Sequence, residues 1–430
     1  MLLEQRLLYL AVSVGSLFKG KTMSTISAGT TTTTALVSTG DTTGNLVLAT
    51  GSVPTTALTL NSTTQAATFA GAVTAPSVTS SGTVNALNTF GFENRIINGG
   101  MTIDQRNAGA SVTPVNSGYT LDRWYFTLSQ ASKLTCQQNA GSVTPPAGFT
   151  KYLGVTSSSA YTVGASELFL LRQSIEGLNC ADLAWGTASA KTITLSAWVR
   201  SSLTGTFGGT IRNGAGNRFY PFSYTISSAN TWTQISVTIA GDTTGTWATD
   251  NSVGIDVMFS LGAGSTVSGT AGSWGSTAYY SVTGAVSVVG TNAATFYITG
   301  VQFEVGSQAT SFDFRDYGRE LILCYRYYQK LGNVSYGAVG TGMIGNDRTF
   351  TVAYLRLNAD MRAAPTLGFA SLVTTDRLGY DVSIATINGT NTSGTTAWGS
   401  FTHAATGTAY YPTFIASANT SGFLSLTAEL

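Results

Sequence analysis

Charged side chains are scarce in this 430-residue chain, where Asp, Glu, Lys and Arg together make up 10% of the residues. Ordinary globular proteins carry roughly 25%. The formal net charge is +1 at pH 7, and the sequence has no long basic run. Such a chain has little bulk attraction for nucleic acid or for an anionic membrane surface. We therefore expect no nucleic-acid partner and no membrane insertion.

Histidine and cysteine are also rare. The one histidine, His403, lies in a polar stretch that we interpret as a loop. A single histidine excludes sites built from several, and any Ser-His-Asp triad would depend on this residue. The three cysteines, Cys136, Cys180 and Cys324, are widely spaced and form no CxxC motif, which argues against a disulfide framework or a zinc site. We expect buried free thiols, as in a protein made in a bacterial cytoplasm.

Motifs for common cofactors and catalysts are missing too. The sequence has no P-loop, no GxGxxG in a Rossmann context and no HExxH. Asp242 and Asp250 open turns that resemble calcium loops, but such turns are abundant here and a plain turn is the favoured interpretation. Glycosidases need two carboxylates across a cleft, and spacing singles out no pair among the 20 acidic residues. We expect no enzymatic activity, no cofactor and no metal.

Glycine, serine and threonine take the place of the missing charges, with 49 glycines in the chain. This composition predicts an all-β protein with hydroxyl-covered strand faces and glycine-rich turns. Between residues 91 and 317, alternating apolar residues mark strands separated by turn-rich segments. The clearest are KTITLSAWVR, TWTQISVTIAG, GIDVMFSLG and FYITGVQFEVG. Their number and spacing predict a jelly roll of two packed antiparallel sheets.

The first 21 residues are mostly apolar, with Leu3, Leu7 and Leu10 at helical spacing. We predict a helix that attaches the chain to copies of itself or to a docking protein. Packing of this helix on its own chain is the alternative. A signal peptide is disfavoured, because the start carries no net positive charge and no clean cleavage site follows.

Residues 22–90 are of low complexity and rich in Thr and Ser. Strand-sized apolar pieces recur in this region, namely NLVLAT, TALTLN, AATFAGAVTAP and SGTVNAL. None has enough apolar residues to form a core alone, whereas three chains side by side would share one. We predict a β-shaft in a homotrimer, and a flexible Thr/Ser linker is the alternative.

Residues 318–430 form a second, smaller β-region in our interpretation. Thr349–Leu357 alternates clearly, and Tyr410–Ile415 and Phe423–Leu426 would be the last strands. Ala385–Gly407 is rich in Thr, Asn, Ser and Gly, and we interpret it as loops. The region predicts a smaller C-terminal β-sandwich, distal to the shaft and a candidate for receptor binding.

Charges crowd at the boundary between these two β-regions. The segment DFRDYGRE is followed by apolar residues at helical spacing between Leu321 and Tyr328. We predict that its charged residues form a salt-bridge network that fixes one domain on the next. An inter-subunit latch is the alternative. The residues are Asp313, Arg315, Asp316, Arg319 and Glu320.

Aromatic residues in a long loop offer a weak candidate for ligand binding. Trp274, Tyr279 and Tyr280 lie in GAGSTVSGTAGSWGSTAYYSVTGAVSVVG, between predicted strands. Aromatic rings stack on the apolar faces of sugars, with polar groups beside them for the hydroxyls. Packing of the three rings against the sandwich or between subunits is the alternative.

The boundary segment VQFEVGSQATSFDFRDYGRELILCYRYYQK resembles one that recurs in tail-fibre and other tail-associated proteins of double-stranded DNA bacteriophages. There, a strand of the type TGVQLEVG precedes ATPFE-R-YG-EL-LCQRYY. This chain departs from that pattern at Ser311 for Pro, Asp313 for Glu and Tyr325 for Gln. Two further segments fit the same family, Asn94–Gly109 and Met361–Thr366. The motifs are specific for the family but say little about its ligand.

The resemblance covers roughly Phe92 to Thr366 and implies a homotrimeric fibre. Its N-terminus would attach to other tail or baseplate proteins, and its jelly roll would resemble carbohydrate-binding modules. Its distal end would meet a host-surface glycan, so that the protein would act in the virion. Two other functions stay open, namely an architectural nozzle, adaptor or capsid fibre without a receptor role, and a tailspike-like polysaccharide depolymerase.

Overall fold

The computed structural model describes residues 37–40, 46–50, 55–60, 67–69, 93–332, 334–376, 381–392, 395, 397–403 and 408–430. The chain divides into two compact units, Met1–Leu87 and Asn88–Leu430. The regular structure of the described residues is nearly all β, with one α-helix. The predicted attachment helix over residues 1–21 lies outside the described residues.

The described strands of the first unit form a four-stranded antiparallel sheet in up-and-down order. They are β1 (Val37–Gly40), β2 (Leu46–Thr50), β3 (Thr55–Leu60) and β4 (Ala67–Phe69). The pieces NLVLAT and TALTLN correspond to β2 and β3, which confirms them as strands. β4 covers only the start of AATFAGAVTAP, and the remainder of that piece lies outside the described residues, as does SGTVNAL. These strands pair within one chain, and the trimeric shaft stays a prediction.

The second unit begins with two antiparallel sheets. Their strands are β5 (Tyr119–Leu121), β6 (Trp124–Leu128), β7 (Leu134–Gln138), β8 (Leu153–Ser157), β9 (Leu168–Glu176), β10 (Ile193–Ser201), β11 (Gly205–Asn213), β12 (Phe219–Ile226), β13 (Thr233–Ile239), β14 (Val253–Ala263) and β17 (Thr295–Val305), with the short pair β15 (Ser268–Gly269) and β16 (Ser281–Val282) before β17. The five-stranded sheet has the order β13-β10-β17-β8-β7, and the six-stranded sheet has the order β12-β11-β14-β9-β6-β5. The chain passes repeatedly between the two sheets, as in a jelly roll.

The core lies between the inner faces of these sheets. The alternating residues that the sequence marks on β10 and β14 are all buried, at 1% exposure or less. They are Ile193, Leu195, Ala197, Val199, Ile255, Val257, Phe259 and Leu261. Full burial of one large apolar side chain contributes about 1.5–3 kcal/mol to stability. The predicted sandwich is therefore present, with its apolar faces where the alternation places them.

Strand β17 changes register at Gly300. Ser196 of β10 pairs with Gln302, whereas Trp198 pairs with Thr299, so β17 carries one extra residue between the two pairs, as in a β-bulge. The φ angle of Gly300 is +60°, a conformation that favours glycine. The bulge keeps the apolar residues on both sides of it in the core, namely Phe296, Ile298, Val301 and Phe303.

Helix α1 (Tyr317–Tyr325) follows the jelly roll. It overlaps the segment of predicted helical spacing, Leu321–Tyr328, but begins four residues earlier. Its residue Cys324 packs with Ile97 and Ile103, so that α1 is anchored to the segment that precedes β5. Tyr328 belongs to the next strand instead of the helix. Within the part of the chain that the structure describes, no helix has the length and apolar character that crossing a membrane requires.

The strands after α1 form a three-stranded sheet and a closed barrel. They are β18 (Tyr328–Gly332), β19 (Ala338–Ile344), β20 (Phe350–Leu355), β21 (Thr366–Ala370), β22 (Leu372–Thr375), β23 (Asp381–Thr392), β24 (Ala397–His403), β25 (Pro412–Ser417) and β26 (Phe423–Thr427). The sheet has the order β18-β26-β21, and the barrel closes in the order β19-β20-β24-β23-β22-β25. The predicted C-terminal sandwich is wrong in this respect, because β25 pairs back onto β19 and removes the sheet edges.

The prediction of loops over Ala385–Gly407 is also wrong. This range holds β24 and most of β23. Ala397 and Phe401 face the barrel interior, while Trp398 and Ser400 between them are half-buried. The alternation is weak in the sequence because small and hydroxyl-bearing residues occupy many of its positions. Threonine is β-branched and favours strands even where it is exposed.

The three cysteines are buried free thiols, as the sequence predicts. Burial raises the pKa values of Cys136 and Cys180 to about 12. Burial also raises the pKa of Cys324 well above its ordinary value. Since the thiolate is the reactive form, these thiols are unreactive and act as packing residues.

Candidate functional site

Asn94–Gly109, the boundary segment and Met361–Thr366 meet at one place, which we call the joint. Asn94, from the first segment, donates a hydrogen bond from Nδ2 to the carbonyl of Val301 at 3.0 Å and accepts one at Oδ1 from the backbone N–H of Phe303 at 3.1 Å. The backbone N–H of Arg362, from the third segment, donates to the carbonyl of Arg326 at 2.9 Å. The joint therefore ties the jelly roll to the strands that follow α1.

The predicted joint residues divide into two groups. Arg315 Nη1 lies 3.3 Å from Glu320 Oε2, and Arg315 Nε lies 3.6 Å from Asp313 Oδ2. Asp316 instead caps α1, where its Oδ1 accepts a hydrogen bond from the backbone N–H of Arg319 at 2.9 Å. The side chain of Arg319 is exposed. Arg315 is thus the centre of the ion pairs, and Asp316 fixes where the helix begins.

Glu176 is a joint residue that the sequence presents only as an isolated acid. Its side chain is 1% exposed, at the end of β9. Arg326 donates to it from Nε at 3.1 Å and from Nη2 at 2.8 Å, and the Tyr327 hydroxyl donates at 2.9 Å. Burial raises the pKa of Tyr327 to about 12. In the sequence, the Arg-Tyr-Tyr run directly after the helix indicates polar contacts at this place, but it does not identify Glu176 as the partner.

A second buried cluster connects the end of the chain to the sheet. Glu429 Oε1 lies 2.7 Å from Arg106 Nη2, and its other oxygen pairs with Arg123, whose side chain is 1% exposed. The guanidinium carbon of Arg123 also lies 3.6 Å from the ring centre of Tyr327, a cation–π contact. Long-range pairs of this kind leave no pattern in the sequence.

Trp274, the first aromatic candidate, is engaged in packing. Its Nε1 donates to the carbonyl of Ala240 at 2.7 Å. Its ring centre lies 5.3 Å from Trp185, 5.4 Å from Trp247 and 5.2 Å from Tyr220. The structure therefore places Trp274 in a cluster of rings that packs against the core of the sandwich.

Tyr279 and Tyr280 lie at the outer face of the six-stranded sheet. Tyr279 lines an open cleft of about 310 Å³. Tyr280 packs edge-on against Phe219 at 5.4 Å between ring centres, and Phe219 lines the same cleft. The other lining residues are rich in hydroxyls, namely Pro221, Ser268, Gly269, Thr270, Ser273, Gly275, Thr277 and Thr283. Ring faces beside hydroxyl groups are the usual lining of a sugar site.

An ion-pair cluster lies on the same outer face, beside this cleft. Asp256 of β14 is 0% exposed. Its Oδ1 lies 2.6 Å from Arg172 Nη2, and its Oδ2 lies 2.8 Å from Arg212 Nε. The Ser174 hydroxyl also donates to Oδ1. Arg212 pairs in register with Phe219 across β11 and β12, so the cluster and the cleft are adjacent.

Tyrosine rings continue the outer face on the other side of Arg172. The Arg172 guanidinium lies 4.6 Å from the ring centre of Tyr125, and the Tyr125 ring stacks on Tyr119 at 4.6 Å. Burial raises the pKa of Tyr125. These rings brace Arg172 from one side and restrict its motion.

The outer face of the C-terminal barrel carries a set of residues that we call the aromatic row, namely Trp398, Tyr354, Thr341 and Phe414. They are cross-strand neighbours on β24, β20, β19 and β25, since Trp398 pairs with Tyr354, and Thr341 pairs with both Tyr354 and Phe414. Tyr354 is 72% exposed and Phe414 is 37% exposed. The row therefore presents large rings to solvent in a fixed order.

Further apolar residues extend the aromatic row. Met343 is 49% exposed and Tyr410 is 65% exposed. Together with Tyr354 and Val352 they line an open cavity of about 400 Å³. The four strands of this face contain no Asp, Glu, Lys or Arg. The surface is thus apolar, rich in rings and uncharged.

His403 is not the exposed loop residue that the sequence predicts. It ends β24 with 7% exposure. Its Nε2 lies 2.7 Å from Thr351 Oγ1 and 3.2 Å from Thr374 Oγ1 inside the barrel. Burial lowers the pKa of His403. The reason for the error is the unrecognised strand β24, which turns this position inward.

The two turns that resemble calcium loops are held by protein groups. Arg218 donates hydrogen bonds to the Asp242 carboxylate from Nε at 2.6 Å and from Nη2 at 2.8 Å. Asp250 accepts from the backbone N–H of Ser252 at 2.9 Å. Among the described residues, no group of three or more His, Cys, Asp or Glu side chains is placed to hold a metal ion.

No protein-family model matches this sequence, and no curated protein matches it. The chain is similar to several solved structures. One is the enzymatically active domain of tailspike protein 4 from bacteriophage CBA120, at 12% identity and a TM-score of 0.25, over 43% of this chain and 20% of that one. The chain therefore spans about a fifth of the length of that solved domain.

Two further similar structures are matched over nearly their full length. The family 11 carbohydrate-binding module from Clostridium thermocellum, in complex with a β-1,3-1,4-mixed-linked tetrasaccharide, has 12% identity and a TM-score of 0.25, over 46% of this chain and 97% of that one. A putative sugar binding protein from Bacteroides thetaiotaomicron has 11% identity and a TM-score of 0.28, over 50% and 100%. These similarities assign no ligand to this chain.

Proposed function

We propose that this chain is a structural protein of a bacteriophage tail fibre, and that its C-terminal barrel binds a host-surface glycan without cleaving it. The observation that carries the binding function is the aromatic row. Tyr354 presents 72% of its surface to solvent, in line with three cross-strand neighbours. Contiguous exposed apolar surface of this kind marks binding sites in soluble proteins.

The geometry of the aromatic row suits a sugar chain that crosses the strands. Tyr354 and Phe414 lie on the two strands that flank β19, so two strand spacings, about 10 Å, separate them. That distance is comparable with the length of two linked sugar rings. The Thr341 hydroxyl lies between the two rings in register and would hydrogen-bond a sugar hydroxyl while the rings stack on the C–H faces.

Hydrolysis at this site is not part of the proposal. Glycosidases place two carboxylates about 5–9.5 Å apart around the scissile bond. The four strands of the face contain no acidic residue. The chemistry available on this face is therefore stacking and hydrogen bonding, which bind a glycan and leave it intact.

The fibre role rests on the resemblance of three segments to tail proteins. Support comes from the way these segments interlock at the joint, which would hold the jelly roll and the barrel as one rigid arm. The N-terminal helix would attach the arm to other tail or baseplate proteins, and three chains would share the shaft. A homotrimer multiplies weak single-site binding through avidity. We place the protein in the virion after synthesis in the host cytoplasm.

Two variants of the full chain test the binding function. Tyr354→Ala removes the most exposed ring of the row, and Tyr317→Ala removes a ring on α1 that is 64% exposed. On an array of bacterial lipopolysaccharides and capsular polysaccharides, we expect Tyr354→Ala to weaken binding about tenfold, as one stacking contact is worth ~1 kcal/mol or more with its buried area. Tyr317→Ala should bind like wild type, and equal losses in both variants would refute the assignment.

The other functions give different results in the same assays. Release of reducing ends from a bound polysaccharide would identify a depolymerase. Absence of all glycan binding, together with burial of the aromatic row against another virion protein, would identify an architectural component.

A further inference from the structure

Two arginines on the jelly roll share a single carboxylate. Asp256 is completely buried in the middle of the six-stranded sheet, with one oxygen on Arg172 and the other on Arg212. The arginine side chains are 12% and 19% exposed. The cluster therefore carries an excess of one positive charge at its solvent side. The buried carboxylate fixes the orientation of both guanidinium groups.

Arg212 has hydrogen-bonding capacity left over. It donates to Asp256 from Nε, and within the described part of the chain its two Nη groups donate no hydrogen bond. Arg218, which directly precedes β12, differs in this respect, because both its Nε and its Nη2 donate to Asp242. A guanidinium carries five N–H donors in a planar fork that matches a carboxylate. Arg212 thus presents a preorganised, partly solvated fork.

The cleft beside Arg212 offers the remainder of a sugar site. Phe219 lines the cleft and is the cross-strand partner of Arg212. Directly paired side chains on neighbouring strands lie about 5 Å apart at Cβ. Tyr280 covers Phe219 edge-on, and Tyr279 forms another wall of the cleft. Arg212 does not itself line the cleft, so the substituent that reaches its fork must extend from the sugar ring past Phe219.

We propose that this face of the jelly roll is a second glycan subsite, specific for an acidic sugar whose carboxylate binds the free Nη edge of Arg212. The ring of the sugar lies against Tyr279, the hydroxyls of the cleft contact those of the sugar, and the buried Phe219 forms the floor beneath. This site is separate from the uncharged aromatic row. It prefers acidic sugars, whereas the row prefers neutral ones. The chain would then bind a polysaccharide that contains both neutral and acidic sugars.

A matched pair of ligands tests the charge preference. Oligogalacturonate carries one carboxylate per ring, and its methyl ester keeps the ring and loses the charge. With full-length chain carrying Tyr354→Ala, which weakens binding at the aromatic row, titration calorimetry should show tighter binding of the acid than of the ester. The difference should shrink at high salt, because screening weakens a solvated ion pair. Equal affinity for the two ligands would overturn the proposal.

Variants at two arginines test the residue assignment. Arg212→Gln should lower the affinity for oligogalacturonate at least tenfold, the usual effect of losing a hydrogen-bonded charge, and should remove the preference for the acid. Arg218→Gln is the matched control, with 20% exposure of its arginine, and should bind like the parent. Equal losses in the two variants would overturn the assignment.

A third variant guards against misfolding. Arg212→Lys keeps a cation beside Asp256 but lacks the planar fork, and its thermal unfolding should match that of the parent while its affinity for the acid falls. Unchanged affinity in Arg212→Lys would show that a point charge suffices and would overturn the fork geometry. The chain with Tyr354 intact separates the two proposals. If it binds neutral glycans through the aromatic row but shows no preference for the acid, the second subsite is refuted and the proposed function stands.

Discussion

At the scale of single residues, Gly300 determines how β17 fits the sandwich. Its left-handed backbone creates the bulge that keeps Phe296 and Phe303 in one core. A Cβ atom at this position would lie 2.6 Å from the Phe149 ring. Backbone conformation and side-chain crowding therefore both require glycine here.

Replacing Gly300 by alanine should destabilise the second unit by about 2 kcal/mol or more, since a left-handed Ala costs ~1–2 kcal/mol before any clash. Chemical denaturation followed by tryptophan fluorescence measures this loss. Gly275→Ala is the control, because a Cβ there meets nothing within 4 Å. A Gly300→Ala protein as stable as the control would contradict the role of the bulge.

His403 should make the stability of the barrel depend on pH. Burial lowers its pKa, so the unfolded chain takes up a proton at a higher pH than the folded chain. The stabilisation is complete above the ordinary histidine value of about 6.5 and is lost as the pH falls towards the folded pKa. The contribution of His403 to the melting temperature should therefore fall between pH 7.5 and 5.

The comparison of wild type with His403→Gln isolates this effect. Burial raises the pKa of Asp122 to about 7, and this carboxyl contributes a pH dependence of opposite sign in the same range. Asp122 is present in both proteins, so its contribution cancels in the difference. Identical pH profiles for the two proteins would show that His403 does not titrate as described.

At the scale of elements, α1 and β18 are held to the jelly roll through Glu176. Glu176→Gln should destabilise the protein by about 2–3 kcal/mol, because it removes the charge that Arg326 and Tyr327 surround in a buried site. Denaturant unfolding at pH 7 measures the change. Asp182→Asn is the control, since Asp182 pairs with Arg95 but is 51% exposed, and its loss should cost at most ~1 kcal/mol.

Elements with strong alternation could be predicted from the sequence, and weakly patterned ones could not. The inner face of β10 follows from its Ile, Leu, Ala and Val residues, because period-two burial needs no knowledge of distant partners. β24 was missed, since Gly399 and Ser400 blur the alternation that only the closed barrel makes clear. Of the candidate site, Tyr279 and Tyr280 could be found by their unusual place in a loop, whereas Arg212 and Asp256 become neighbours only through sheet pairing.

At the scale of the whole molecule, the prediction concerns the shaft. Deletion of residues 23–89 should weaken a trimer in analytical ultracentrifugation, because the shared core of the shaft would be lost. Folding of the second unit should persist, since its core lies within residues 88–430. A trimer of undiminished stability after this deletion would move the subunit interface to the jelly roll or the barrel.

The central place of β26 in its sheet has a consequence for synthesis. β26 pairs with β18 on one side and with β21 on the other, although both partners leave the ribosome long before it. Until Phe423–Thr427 emerges, the nascent protein carries two strand edges without a partner. A chain that stops before β26 would keep those edges open and be prone to aggregate, so this sheet can close only after β26 has been made.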